Sequence, residues 1–272
     1  MQKSLYAFLI CTITLFEPTL VCAKEISVMT WNIQVGQNKG LAQNNWPARK
    51  SLVQKQLVDA KADIYCLQEV SPDQKAFIAK TLGDFAQVGA GRDDGKNLGE
   101  HCLILFKKEL FELSNGETFW LSDTPETCKN TWDFPFKRIC TWVSFTDKKS
   151  DKKLFVFNTH FPLNPLVQEK AAMLLKERIK KVTNSQTKPL VVICGDFNCD
   201  NKSKAWKILQ DTGFKPISNA KSITVMGKLV ACTDTIFISK DIKATETRLH
   251  LLRSKTGTCA SDHQSIETKL SF

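Results

Sequence analysis

The sequence predicts a single mixed-sheet α/β domain, and three observations carry that expectation. Short apolar runs rich in β-branched residues alternate with amphipathic segments in the order strand-helix-strand, twice over, with hairpins added. Most of these runs end abruptly in polar residues. No linker, low-complexity run or short-period repeat divides the 272 residues, and a hydrophobic content of 42% is enough for a sizeable core.

The first 23 residues read as separate from that core. Lys3 gives a positive start, Leu5 to Phe16 is apolar, Pro18 breaks the segment, and Val21-Cys22-Ala23 offers small residues for a signal peptidase. The apolar stretch is too short for a membrane span. The expectation is a cleaved signal peptide over residues 1–23, a domain over 24–272, and a secreted or periplasmic destination. Cleavage removes Lys3 and Glu17, one charge of each sign, so the net charge stays at +10. Such a surface suits polyanions, nucleic acid or anionic membrane.

In chain order, Ile26 to Asn32 alternates like a strand, and Pro47 to Ala62 has helical spacing through Leu52, Val53 and Leu57, with Asn45 and Pro47 as cap and start. Asp63 to Glu69 is the next strand. Ser71-Pro72-Asp73-Gln74 is a capping-box start for a helix carrying Phe77, Ile78 and Leu82. Phe85 to Ala90 and Cys102 to Phe106 are strands around the charged, glycine-bearing loop Gly91-Arg92-Asp93-Asp94-Gly95. The middle is less regular, with Phe119, Trp120, Trp132, Phe134 and Phe136 around Cys128 and Cys140. Cys140 to Phe145 and Leu154 to Asn158 form a hairpin. Asn164-Pro165 opens an amphipathic helix through Ala171, Leu175 and Ile179. Val191 to Cys194 is a buried strand, after which Gly195 permits a sharp turn into Asp196 and Asn198. A short helix with Trp206 and Leu209 follows, then strands at 235–239, 245–252 and 264–270.

Polar residues thus cluster at strand ends: Asn32, Glu69, His160, Asp196 with Asn198, and Asp262-His263. Open α/β sheets place their ligands at such ends. The ordered set Trp-Asn, Gln-Glu-Val, Asn-Thr-His, Gly-Asp-Phe-Asn and Ser-Asp-His, running from Trp31 to His263, resembles the endonuclease/exonuclease/phosphatase superfamily. Gly91 to Gly95, Phe119-Trp120-Leu121-Ser122 and Thr141-Trp142 are similar to a broad, mostly uncharacterised subgroup of it. The resemblance implies a four-layered α/β/β/α sandwich with two mixed sheets face to face.

It also implies metal-dependent phosphoester hydrolysis, with Mg²⁺ as cofactor and Mn²⁺ as a substitute. By family position Glu69 is the main metal ligand, with Asn32 beside it and Asp262 contributing. Asp196 orients or activates the attacking water and Asn198 positions it. His263 acts on the phosphate with Asp234 as its carboxylate partner, and His160 donates to the phosphate or leaving oxygen. Arg92, Asp94, Glu100 and Arg138 are the expected substrate-binding residues. His101 and His250 match no motif and receive no role. Phe161-Pro162-Leu163 departs from the subgroup's aspartate-containing stretch. Gln34 stands where abasic-site endonucleases carry an aspartate, which disfavours that repair activity.

The leading expectation is a monomeric nuclease acting on DNA or RNA. The alternatives are a phosphatase or phospholipase C-type hydrolase, and a non-catalytic binding protein, which the filled catalytic positions disfavour. Ten cysteines fall to eight after cleavage. In an oxidising compartment this suggests disulfides: Cys128–Cys140 across a short loop, and Cys232–Cys259, each preceding a residue expected in the site.

Overall fold

The computed structural model describes residues 25–36, 45–132, 135–217 and 233–272. The leader, Phe134 and Cys232 lie outside them. The elements are β1 (Glu25–Asn32), α1 (Trp46–Ala60), β2 (Ile64–Val70), α2 (Pro72–Thr81), β3 (Phe85–Val88), β4 (His101–Lys107), β5 (Phe111–Trp120), β6 (Ile139–Asp147), β7 (Lys153–His160), α3 (Pro165–Thr183), β8 (Leu190–Asp196), α4 (Lys204–Asp211), β9 (Lys215–Pro216), β10 (Asp234–Ile238), β11 (Lys243–His250) and β12 (Ser265–Ser271). They form two six-stranded mixed sheets, ordered β11-β12-β1-β2-β4-β3 and β5-β6-β7-β8-β10-β9.

Side-chain alternation sets the layers. In β1, Ile26 and Val28 enter the core between the sheets, while Met29 and Trp31 pack beneath the helices α1 and α2. In β2, Ile64 and Cys66 point inward, and Tyr65 and Leu67 outward. In β8, Val192 and Cys194 point inward, and Val191 and Ile193 lie under α3 and α4. Both faces of each central strand are therefore apolar, as the continuous hydrophobic runs require. The result is the expected four layers. Among the described residues, no helix is long and apolar enough to cross a membrane.

The inner faces lose their apolar character at one end. Continuing the alternation of β1, β2, β7 and β8 puts Asn32, Gln68, Asn158 with His160, and Asp196 on the inner side. β10 runs antiparallel to β8, with Asp234 opposite Asp196. β12 runs antiparallel to β1, which brings the segment before Ser265 to the same end. Gln68 Nε2 donates to Asn158 Oδ1 at 2.7 Å, and Asn158 Nδ2 donates to the Leu67 and Leu103 carbonyls. These bonds join the two sheets just below the site.

Local signals behave as their chemistry requires. Ser71 N donates to Gln74 Oε1, completing the capping box of α2. β5 lies where the sequence predicts no strand, because it is the edge strand of its sheet and residues 112–117 face solvent without apolar alternation. Gly195 lies inside β8 and makes no sharp turn there. Its requirement is a close approach: a Cβ would run into the Thr159 carbonyl oxygen.

The expected Cys128–Cys140 disulfide does not form, and both thiols are free. Cys140 points into the core beneath α3. Its neighbour Ile139 points to the opposite face of β6, and Cys128 packs on that side, with its Sγ 2.9 Å from the Asp93 carbonyl. Adjacent strand positions cannot share a face. Cys259 is also free, and its expected partner Cys232 lies outside the described residues.

Two outcomes follow. Gly195→Ala should destabilise the protein by about 1–3 kcal/mol through overpacking, read as a lowered urea midpoint. In native protein, iodoacetamide should label half-exposed Cys128 well before buried Cys66, Cys102, Cys140 and Cys194. Peptide mapping that finds Cys128 linked to Cys140 would contradict the structure.

Candidate active site

One carboxylate oxygen lies at the centre of the polar end. Asp196 Oδ2 accepts from Asn32 Nδ2 at 3.1 Å and lies 3.6 Å from His160 Nε2 and 3.8 Å from His263 Nε2. The other oxygen accepts from the Asn198 backbone N–H at 3.0 Å. Asp196, Asp234, His160 and His263 are all buried. Burial and the nearby Asp234 carboxylate push the Asp196 carboxyl up to about 6, against the opposing pull of His263.

The two histidines are held in opposite states. His263 Nδ1 lies 2.8 Å from Asp234 Oδ2. Burial opposes its charge, yet Asp234, with Asp196 and Asp262 nearby, holds the imidazolium well above its ordinary range. His160 is held well below its range by burial and by Arg138. Arg138 Nη1 lies 2.9 Å from His160 Nδ1. A guanidinium only donates, so Nδ1 carries the lone pair and Nε2 the hydrogen. His160 therefore presents a neutral N–H toward Asp196, and His263 a cationic one.

Beside them, Glu69 Oε1 accepts from Asn32 Nδ2 at 3.0 Å and Oε2 from the Val35 backbone N–H at 2.9 Å. Glu69, Gln34 and Asn198 all have left-handed backbone, with φ of 59°, 60° and 50°. Such conformations cost on the order of 1–3 kcal/mol each and collect at functional sites. Asn198 directs its amide to the Phe161 carbonyl at 2.8 Å. Ser261 Oγ donates to the Asn32 carbonyl and accepts from His263 N, tying the Asp262 turn to β1. Burial raises the Asp262 carboxyl, and Glu69 adds to that rise.

The substrate-side residues divide. Arg92 Nη1 pairs with Glu100 Oε2 at 2.7 Å, and both line a small cavity with Glu69, Arg138 and His160. Asp94 stands apart. Its Oδ1 accepts from the Lys96 and Leu98 backbone N–H groups and shapes its own loop. Trp132 is buried, and its indole N–H donates to Asp123, while Phe136 is exposed beside the Arg92 guanidinium.

Sequence reasoning missed Arg49. This side chain, 1% exposed, donates to the carbonyls of Ile33, Gln34 and Ala260 at 2.7–2.9 Å. It clamps the segment after β1 to the segment before Ser261 and places a fixed positive charge near Glu69 and Asp262. The available signal was its register: Arg49 shares the buried face of α1 with Trp46, Val53 and Leu57.

Two groups of residues can be tested for a metal ion. Asp196, Asp234 and His263 each place a ligand atom within 4.8 Å of the others, close enough to hold one. The hydrogen bond from His263 to Asp234 and the imidazolium charge work against ligation through that ring. Glu69 and Asp262, close enough for their charges to interact, offer two carboxylates of the kind a hard divalent cation takes, whereas the Asn32 amide oxygen accepts from the Gln34 backbone N–H.

The chain is similar to known proteins in sequence and in fold. An uncharacterised protein of Acanthamoeba polyphaga mimivirus is 35% identical over 113 residues, which is 40% of this chain and 41% of that protein. The CCR4-Not complex 3'-5'-exoribonuclease subunit Ccr4 of Candida albicans is 28% identical over 60% of this chain and 24% of its own length. The matched region thus spans less than half of either relative. Among solved structures, an endonuclease/exonuclease/phosphatase family protein from Bacteroides thetaiotaomicron superposes with a TM-score of 0.85, at 23% identity over 92% of this chain and 99% of that one. A mannosyl-6-phosphatase from the same organism superposes with a TM-score of 0.82, at 22% identity over 91% and 100%. The family model for "Endonuclease/Exonuclease/phosphatase family" matches residues 29–263, and the chain belongs to that family, whose enzymes hydrolyse phosphoester bonds.

Proposed function

We propose that the protein is an exported, Mg²⁺-dependent phosphodiesterase that acts as a monomer on nucleic acid. The observation that carries this reading is the convergence of Asn32, His160 and His263 on one oxygen of Asp196. A carboxylate flanked by two N–H donors can hold a water on one side and a phosphoryl group on the other. Family membership supports hydrolysis, the net charge of +10 supports a polyanionic substrate, and the signal-like leader supports export. The relative Ccr4, an exoribonuclease, supports the nuclease reading over others.

Each side chain has a part. Glu69, Asn32 and Asp262 would hold the cation, which supplies electrostatic stabilisation of charge developing on the phosphoryl oxygens. Asp196 orients the attacking water and takes its proton, and a carboxyl pushed up to about 6 is suited to a base at neutral pH. Asn198 holds the backbone turn that fixes Asp196. His263, kept cationic by Asp234, donates from Nε2 to a phosphoryl oxygen. His160 donates its Nε2 hydrogen to the phosphate or leaving oxygen. Arg138 keeps that hydrogen in place by occupying Nδ1.

A second reading is a phosphatase or phospholipase C-type hydrolase acting on sugar, inositol or lipid head groups. The narrow cavity beside Arg92 and Glu100 favours it, as does the fold shared with a mannosyl-6-phosphatase. Hydrolysis of plasmid DNA, RNA, sphingomyelin, phosphoinositides and mannose 6-phosphate, with Mg²⁺ and with EDTA, separates the two. Nucleic acids should be cleaved and EDTA should stop the reaction. Cleavage of the small phosphoesters alone would favour the second reading, and no cleavage of any substrate would overturn both.

Two substitutions test the roles. Glu69→Gln should abolish most activity and raise the Mg²⁺ concentration needed for what remains, with an unchanged circular dichroism spectrum. A wild-type rate and Mg²⁺ dependence would remove Glu69 from the metal site. Asp234→Asn keeps the shape but removes the charge that supports His263, and should lower kcat by ~10²-fold or more with a smaller change in KM. Since the pair acts as a unit, adding it to His263→Ala should cost hardly more than His263→Ala alone. Losses that multiply would show two independent residues.

A further inference from the structure

The rim of the site carries an aromatic ring that core packing does not explain. Phe136 is 54% exposed. The same loop turns Trp132 inward, where its indole N–H donates to Asp123. A phenyl ring left in water forgoes the free energy that burial would supply.

The ring lies against Arg92. The guanidinium carbon is 5.6 Å from the ring centroid, within reach of cation–π attraction. Arg92 is itself fixed. Its Nη1 pairs with Glu100 Oε2 at 2.7 Å, its backbone N–H donates to the Glu100 carbonyl at 3.0 Å, and its carbonyl accepts from the Trp120 indole N–H at 2.8 Å. Ring and guanidinium therefore form a pre-organised pair, and pre-organisation lowers the cost of binding. The pair stands next to the Asp196 cluster. Arg92 lines the small cavity that Glu69 and His160 also line. Arg138, whose Nη1 lies 2.9 Å from His160 Nδ1, is two residues on from Phe136, and two residues of chain reach at most ~7 Å. Lys137 lies between them, with its Nζ 3.0 Å from the Asp93 carbonyl. Cations at 92, 137 and 138 thus mark the path from the ring to the site.

Resting on the nucleic-acid reading above, we propose that Phe136, braced by Arg92, is a stacking platform for an unpaired base next to the phosphate in the site, so that the protein prefers single strands of DNA or RNA to duplexes. Single-strand sites combine cations that track the backbone with aromatic faces that take bases, and they tolerate any sequence because every base has a π-face. A duplex keeps its bases stacked and paired, and extracting one costs free energy. A bilayer is the other partner that an exposed phenyl ring suits. Insertion would carry the Arg92–Glu100 ion pair toward hydrocarbon, and desolvating that pair opposes it.

Fluorescence anisotropy in EDTA reads binding without turnover. The probes are a labelled single-stranded oligoribonucleotide, its deoxyribo counterpart, the same strands annealed to their complements, and a strand with abasic sites in place of bases. Wild-type protein should bind at least one single strand more tightly than the duplex and the abasic strand, and the tighter of the two names RNA or DNA as the source. Phe136→Ala should weaken that binding by about tenfold and leave the affinity for the abasic strand unchanged, and Phe136→Trp should restore it. The side chain is exposed, so both variants should keep the wild-type circular dichroism spectrum. Unchanged single-strand affinity in Phe136→Ala would overturn the platform, as would wild-type protein that binds no single strand. An equal loss on the abasic strand would also overturn it, since no base would then be involved. Loss of sedimentation with phosphatidylglycerol vesicles in Phe136→Ala, with oligonucleotide affinity intact, would assign the ring to a membrane instead. Cleavage of the same strands in Mg²⁺ is scored separately: binding that depends on Phe136 without any cleavage would uphold the platform and overturn the nuclease reading.

Discussion

Burying the Asp196 carboxylate is the constraint around which the rest of the structure is arranged. Removing an anion from water is costly unless hydrogen bonds and charges compensate. Here compensation comes from four separate elements of chain. Asn32 at the end of β1 donates to one oxygen, and the backbone of Asn198 donates to the other. His263, before β12, brings positive charge, and His160 at the end of β7 brings a neutral donor. Asp234 adds a second buried carboxylate opposite Asp196, which would worsen the problem without His263 between them. The groups that make the carboxylate tolerable are the groups that would meet a phosphate.

That arrangement depends on registers that only the assembled sandwich supplies. Parallel pairing sets Asn32 level with Gln68 and His160 level with Asp196. Antiparallel pairing sets Asp234 against Asp196. A slip of one residue in any of these strands would turn a polar side chain of the cluster outward beneath a helix and an apolar one inward. The direct hydrogen bonds between Gln68 and Asn158 resist such slips where the two sheets meet. The left-handed residues at 34, 69 and 198 store strain at this end of the sheets, and the Arg49 guanidinium holds two of the surrounding segments together.

Most of this was legible because strand cores and strand ends differ so sharply in composition. The abrupt change from Val-Val-Ile-Cys to Asp-Phe-Asn, and its repetition elsewhere, pointed to one shared edge before any contact was known. Pairings between distant residues followed only from the resemblance, since Asp234 and His263 have no local signal that joins them. What was illegible has physical reasons. β5 lies on an edge and needs no apolar alternation. Cys128 and Cys140 are near in sequence, but strand alternation sends them to opposite faces of β6. Gly195 read as a turn because glycine serves both turns and close approaches, and only the neighbouring Thr159 carbonyl distinguishes them.

The position of β12 between β1 and β11 has a temporal consequence. β1 is made early and β12 late, so Asn32 waits through most of translation for the segment that meets it. Until β12 docks, Asn32 has no Ser261 hydroxyl at its carbonyl, and neither Asp196 nor Asp234 has its imidazolium. A ribosome-bound intermediate therefore carries an incomplete centre, however well its other strands have paired. The cluster is complete only with closure of the sheet, so a chain that stalls or is clipped before residue 263 lacks the imidazole that lies beside Asp196 and Asp234.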